Sequence, residues 1–178
     1  RSALQTVYVT ASARALRLGL ERRGDNLGYV MGPGDEVPAA LRQARHRVTL
    51  LTAADLDAAN LSAYDAIVIG VRAYNTRERL KLRNARLLDY VKGGGTVVVQ
   101  YQTNDDTLYK DFAAAPLTLG RDRVTVEDAP VTFPDPNDPI LNSPNKLGPE
   151  DFEGWVQERG TYFGSTWDPA YRTPLESH

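Results

Sequence analysis

With 178 residues, 21 basic against 23 acidic side chains and 42% hydrophobic residues, the chain has the size and composition of one domain with a real core, and two full domains are not expected. Its formal net charge is -2 and its arginines are scattered among acids, which argues against nucleic acid; no apolar run approaches the roughly 18 residues of a membrane-spanning helix, and the N-terminus lacks the charged-then-apolar order of a signal peptide. Cysteine is absent and His46 and His178 are the only histidines, so disulfides, thiolate metal sites, Fe–S clusters and a cysteine nucleophile are excluded, and a Ser-His-Asp triad or a multi-histidine zinc site would rest on one interior histidine.

Residues 1 to 27 are expected to be a linker or the tail of an upstream domain, with a short strand at Thr6 to Val9 and leucines spaced between arginines from Ser12 to Arg23. The domain proper is expected at 28–178. Gly28 to Met31 is apolar enough for a strand, Gly32-Pro33-Gly34-Asp35 for a turn, and Glu36 to Ala44 for a helix with Val37, Ala40, Leu41 and Ala44 on one face. Asp35 can cap that helix, and Pro38 is tolerated in its first turn. Arg47 to Leu51 predicts a second strand, and Ala53 to Leu61 a short crossover.

Tyr64 to Gly70 is a near-continuous apolar run, which predicts a strand buried on both faces. Arg77 to Lys92 carries Leu80, Leu87, Leu88 and Val91 at helical spacing, with Asn75 or Thr76 as cap and Gly93-Gly94-Gly95 as stop. Thr96 to Tyr101 is the next buried strand. This order of strand and helix predicts βαβ units and a doubly wound, mostly parallel α/β sheet. Beyond Asn104 the chain is rich in Pro, Asp and Asn, with strand-like runs at Arg123 to Glu127 and Val131 to Phe133, which predicts an edge extension with long loops. Trp155, Tyr162 and Phe163 are expected to bury the segment from Phe152 to Phe163 against the sheet, and no closing element is expected from Tyr171 to His178, so a final strand is expected to be missing.

In an open parallel sheet, ligands sit beyond the carboxyl ends of the strands, where the winding reverses. That rule selects the loops 32–36, 71–76 and 101–106, and gathers Asp35, Glu36, Arg72, Tyr74, Asn75, Tyr101, Gln102 and Asn104 on one rim. Arg72 beside Asp35 or Glu36 would orient a polar ligand, and Tyr74 and Tyr101 would stack on a sugar ring; turn-forming residues and an Arg–carboxylate pair that merely close the rim explain the same pattern. Gly32-Pro33-Gly34 is too short for a dinucleotide fingerprint, and Gly93-Gly94-Gly95 precedes a strand, so no nucleotide site is expected. The acids Glu127, Asp128, Asp135, Asp138, Glu150, Asp151 and Glu153 fit no EF-hand spacing and are expected to be solvated, and His46 is expected to cap or face solvent. No catalytic or metal-ligating residue is assigned.

The stretches Gly28 to Pro38, Tyr64 to Thr76, Leu88 to Tyr101, Arg121 to Pro130 and Gly154 to Gly160 resemble the C-terminal region of long bacterial PIG-L (LmbE-like) deacetylases, over residues 28 to 172. That resemblance implies a flavodoxin-like domain similar to class I glutamine amidotransferase-like and ThuA-like domains. The parent family removes acetyl groups from N-acetylglucosamine-type substrates with zinc held by a Pro-His-Pro-Asp-Asp motif and a later histidine, none of which is in this chain. Zinc is therefore implied only for a separate catalytic domain, and no cofactor for this one. Active amidotransferases carry a cysteine on a Gly-x-Cys-x-Gly elbow, whereas Val98 to Thr103 stands here without it.

The resemblance thus implies a non-catalytic accessory domain of a deacetylase, partnered with its catalytic domain and binding carbohydrate at the rim. A structural docking or oligomerisation module is the alternative, and a hydrolase using the rim carboxylates is a third. An extracytoplasmic location is implied by the family alone.

Overall fold

The computed structural model describes residue 12 and residues 19–154 and 160–177. The expected strand at Thr6 to Val9 and the side chain of Trp155 lie outside these residues. Strands β1 (Asn26–Val30), β2 (Arg47–Leu50), β3 (Ala66–Ile69) and β4 (Val97–Val99) form one sheet in the order β2-β1-β3-β4, with every neighbouring pair parallel. Helices α1 (Val37–Gln43), α2 (Ala53–Ala58), α3 (Ala73–Thr76), α4 (Glu78–Lys81) and α5 (Asn84–Lys92) connect them. This parallel order is compatible with a flavodoxin-like α/β fold.

β1 begins two residues ahead of Gly28, inside the expected linker. The Asp65 carboxylate accepts the amides of Asp25 and Asn26 at 2.7 and 2.9 Å, which brings the chain into register with Arg47 on β2. The core lies along β1 and β3: Val30, Ile67 and Ile69 are buried and pack with Leu56, Leu61, Tyr74, Leu80, Leu87 and Phe112, and Tyr29 is fully buried as well. Each such aliphatic side chain contributes about 1.5–3 kcal/mol when taken out of water.

Several expectations are corrected. The strand predicted over Thr96 to Tyr101 is only three residues long and is not buried on both faces, since Val98 is 47% exposed; β4 and β2 flank the central pair instead of lying between neighbours. Only Pro38 of α1 is buried, so its predicted apolar face is largely open. The single helix predicted over Arg77 to Lys92 is divided, because Arg77 (φ -109°, ψ 80°) and Arg83 (φ -108°, ψ 0°) leave helical geometry. Leu80 and Leu87 are both buried in the core, and Asn75 and Thr76 fall inside α3 instead of capping the helix that follows. The glycine stop after α5 is as expected, with the amides of Gly93 and Gly95 donating to Asp89 O and Tyr90 O.

Beyond β4 the chain builds an appendage of two-stranded antiparallel ladders: β5 (Leu117–Leu119) with β9 (Gly164–Trp167), β6 (Arg123–Val124) with β8 (Gly160–Thr161), and β7 (Val131–Thr132) with β10 (Glu176–Ser177). A short helix, α6 (Pro139–Asn142), follows β7 and starts on an Asp138 cap. The segment after Tyr171 holds the two-residue β10, which pairs with β7 and not with the parallel sheet. The aromatic residues pair within the appendage and its junction rather than burying against the sheet: Phe152 meets Phe133 edge-on at 5.8 Å, Tyr162 lies 6.1 Å from Tyr101, and Phe163 stays 39% exposed.

Candidate functional site

The loops after β1, β3 and β4 do meet at the carboxyl rim, and what they form is a closed hydrogen-bonded plug. Asp35 is 8% exposed; its Oδ2 accepts the Tyr29 hydroxyl at 2.6 Å and the Val71 amide at 3.3 Å, while Oδ1 accepts the Val37 amide at 3.1 Å. The capping expected of Asp35 thus exists, delivered from one residue before the formal N-cap, Glu36. Gln100 Nε2 donates to the Tyr29 hydroxyl at 2.7 Å and completes a line across the ends of β4, β1 and the first loop. Burial pushes the Tyr29 hydroxyl above its ordinary value of 10.0, and the adjacent Asp35 carboxylate pushes it further.

The backbone closes the same place. A Cβ on Gly32 would stand 1.8 Å from Val71 O, and one on Gly70 would stand 2.3 Å from Asp35 Oδ2 and 2.6 Å from Gly32 N. The two loops touch main chain to main chain, which only glycine permits.

The remaining rim residues divide by direction. Tyr74 is not a stacking platform: it is 1% exposed, its ring packs on Phe112 at 5.3 Å, and its hydroxyl donates to Asn84 Oδ1 at 2.6 Å. Asn75 clamps the β4 loop, donating to Thr103 O at 2.9 Å and accepting from Thr103 N at 3.0 Å. Gln102 accepts the Tyr74 amide at 3.0 Å and donates to Gln100 O at 2.8 Å, and Asn104 donates to Leu119 O at 2.5 Å. Arg72 pairs with neither Asp35 nor Glu36 among the described residues; it is exposed, with a left-handed backbone (φ 55°) whose amide donates to Tyr101 O at 2.8 Å. Tyr101 is 44% exposed and its hydroxyl shares a hydrogen bond of 2.9 Å with Thr161. Glu36, Arg72 and Tyr101 are the outward-facing members of the set.

Residues not anticipated as rim participants are Tyr29, Gln100 and Asp105. Asp105 gathers Thr103 Oγ1 at 2.7 Å, the Thr107 amide at 2.9 Å, the Thr107 hydroxyl and Asn75 Nδ2 at 3.3 Å. These donors, the Thr107 hydroxyl foremost, bring its carboxyl down to about 2. Its Thr-x-Asp-x-Thr spacing was the available signal, since Asp and Thr two residues apart form local turns. An opening of about 810 Å³ lies beside the plug, over the ends of β1 and β2, lined by Met31, Leu50, Thr52, Arg77 and Arg79. Selecting the loop after β2 along with the other three would have found it.

Among the described residues there is no group of three or more His, Asp or Glu able to hold a metal ion. The chain is an α/β protein with a four-stranded, all-parallel sheet flanked by helices. No protein-family model matches it, and no curated protein and no solved structure does either.

Proposed function

We propose that this chain is a non-catalytic accessory module of a PIG-L/LmbE-type deacetylase, acting by binding carbohydrate instead of by chemistry. Its architecture is then the doubly wound one of flavodoxin-like and class I glutamine amidotransferase-like domains, a reading supported by the parallel order β2-β1-β3-β4. The observation that carries the non-catalytic role is the plug. Enzymes of this architecture place reacting groups in the crevice at the reversal of winding, and a general base must be free to take a proton. Here Asp35 is bound by the donors of Tyr29, Val37 and Val71 in that crevice, and the glycine loops fill it. A hydrolase working through this carboxylate would first have to dismantle the rim.

A thermal-shift titration with N-acetylglucosamine, glucosamine and their short oligomers tests the carbohydrate role, on the wild type and on Arg72→Ala. Saturable stabilisation is expected, of about 2.7 kcal/mol at a ligand concentration 100 times Kd; no shift with any of these sugars removes the role. A docking or oligomerisation module is the second reading, favoured by the outer strands. Parallel sheets are ordinarily covered on both faces, yet Leu50 on β2 is 45% exposed and Val98 on β4 is 47% exposed. Sedimentation showing a concentration-dependent dimer, abolished by Leu50→Glu or Val98→Glu, would support it.

A further inference from the structure

We infer that the carbohydrate-binding surface lies on the appendage, in the groove bordered by the β5–β9 ladder, β6 and the segment 171–177, with Trp167 and Phe163 as its stacking platform. This rests on the carbohydrate reading above and moves it away from the rim. The groove has a volume of about 590 Å³ and is lined by Phe163, Trp167, Tyr171, Asp122, Arg123 and Arg172, among others. That volume lies within the range of small-molecule sites, which combine aromatic walls with a few fixed polar groups.

Both rings pack closely over strand glycines. The six-membered ring of Trp167 packs over Gly164, where a Cβ would stand 3.2 Å from Cε3, and the tip of Phe163 fills the space over Gly160, where a Cβ would stand 2.2 Å from Cζ. With one side of each ring seated on main chain, Trp167 remains 47% and Phe163 39% exposed. An aromatic ring held in place with an open face suits the C–H side of a pyranose, whose weakly positive hydrogens meet the negative ring face.

The polar lining is also fixed. Arg172 Nη1 pairs with the buried Asp138 at 3.0 Å, the Tyr171 hydroxyl donates to Ala115 O at 2.9 Å, and Thr173 donates to Glu176 at 3.0 Å. Two arginines and two acids, Asp122 and Glu176, border the groove, so it has no dominant charge that would select an anion or a cation. Charges of both signs around aromatic faces suit a neutral ligand dense in hydroxyls better than an apolar peptide, which would leave them unpaired.

The test is calorimetric titration of the chain with chitotriose, cellotriose and maltotriose, following tryptophan fluorescence in parallel. At least one trisaccharide is expected to bind with saturation, Trp167→Ala to weaken it 10-fold or more, on the order of the loss of one stacked ring, and Trp167→Tyr to retain it within a few fold. Folding of each variant is checked by its circular dichroism spectrum and melting temperature, which are expected to match those of the wild type. Arg72→Ala is expected to bind like the wild type. Binding that survives Trp167→Ala but is lost in Arg72→Ala overturns this site and leaves carbohydrate binding at the rim. No binding of any trisaccharide by the wild type overturns both.

Discussion

Tyr29→Phe isolates the plug with almost no change of shape. The ring is fully buried and stays in place, while the hydroxyl that donates to Asp35 and accepts from Gln100 is removed. Asp35 is left buried with only two main-chain donors, one of them the longer 3.3 Å contact from Val71. Gln100 is half-buried and can turn to water, so most of the loss falls on the carboxylate. Leaving a buried charged acceptor short of a donor costs about 2–3 kcal/mol, and the lost bond from Gln100 adds little. Urea denaturation at pH 7 should lower the midpoint without changing the slope. In a double-mutant cycle with Asp35→Asn, about 1–3 kcal/mol of the effect should be shared between the two residues. A loss below about 0.5 kcal/mol, or a coupling near zero, would mean the hydroxyl–carboxylate contact does not hold the rim together.

Gly70→Ala should be harsher, costing ~3 kcal/mol or more, because the new methyl meets the main chain at Gly32 and Val30 O and cannot be relieved by a rotamer change; a melting temperature near that of the wild type would refute the close approach. Asn75→Ala should destabilise by roughly 2–3 kcal/mol and speed amide exchange at Thr103, whose N–H loses its acceptor. In alkali, the raised Tyr29 and Tyr74 hydroxyls stay protonated in the folded chain while the unfolded chain ionises from pH 10 upward, so stability should fall as pH rises above 10 and fall less steeply in Tyr29→Phe. In acid the sign reverses: Asp105 contributes above its ordinary value of 3.8 and loses that contribution as pH falls toward about 2, so protection of the Thr107 amide relative to its intrinsic exchange rate should fall across that interval and show no such step in Asp105→Asn.

What the sequence determined by itself was the class of fold. Tyr64 to Gly70 and Val97 to Val99 are apolar runs of strand length, the segment between them carries leucines at helical spacing and a glycine stop, and a parallel sheet results from that alternation because βαβ units join neighbours in one direction. The same rule correctly brought the loops of Asp35, Val71 and Gln102 to one rim. Local pattern carries this much because periodicity and turn chemistry act over a few residues.

Direction and occupancy were decided by tertiary structure. Tyr74 and Arg72 are two residues apart in a polar loop, yet the first is buried against Phe112 and the second faces solvent, since a left-handed turn at Arg72 starts α3 with Tyr74 pointed inward. Tyr29 looked like one more apolar strand residue until Asp35 and Gln100, 6 and 71 residues away, closed on its hydroxyl. The seats of Trp167 and Phe163 on Gly164 and Gly160 likewise depend on strand ladders whose partners are far apart in the chain. Whether a polar side chain at a strand end meets a ligand or its own protein depends on which distant groups fold against it, and no local pattern encodes that.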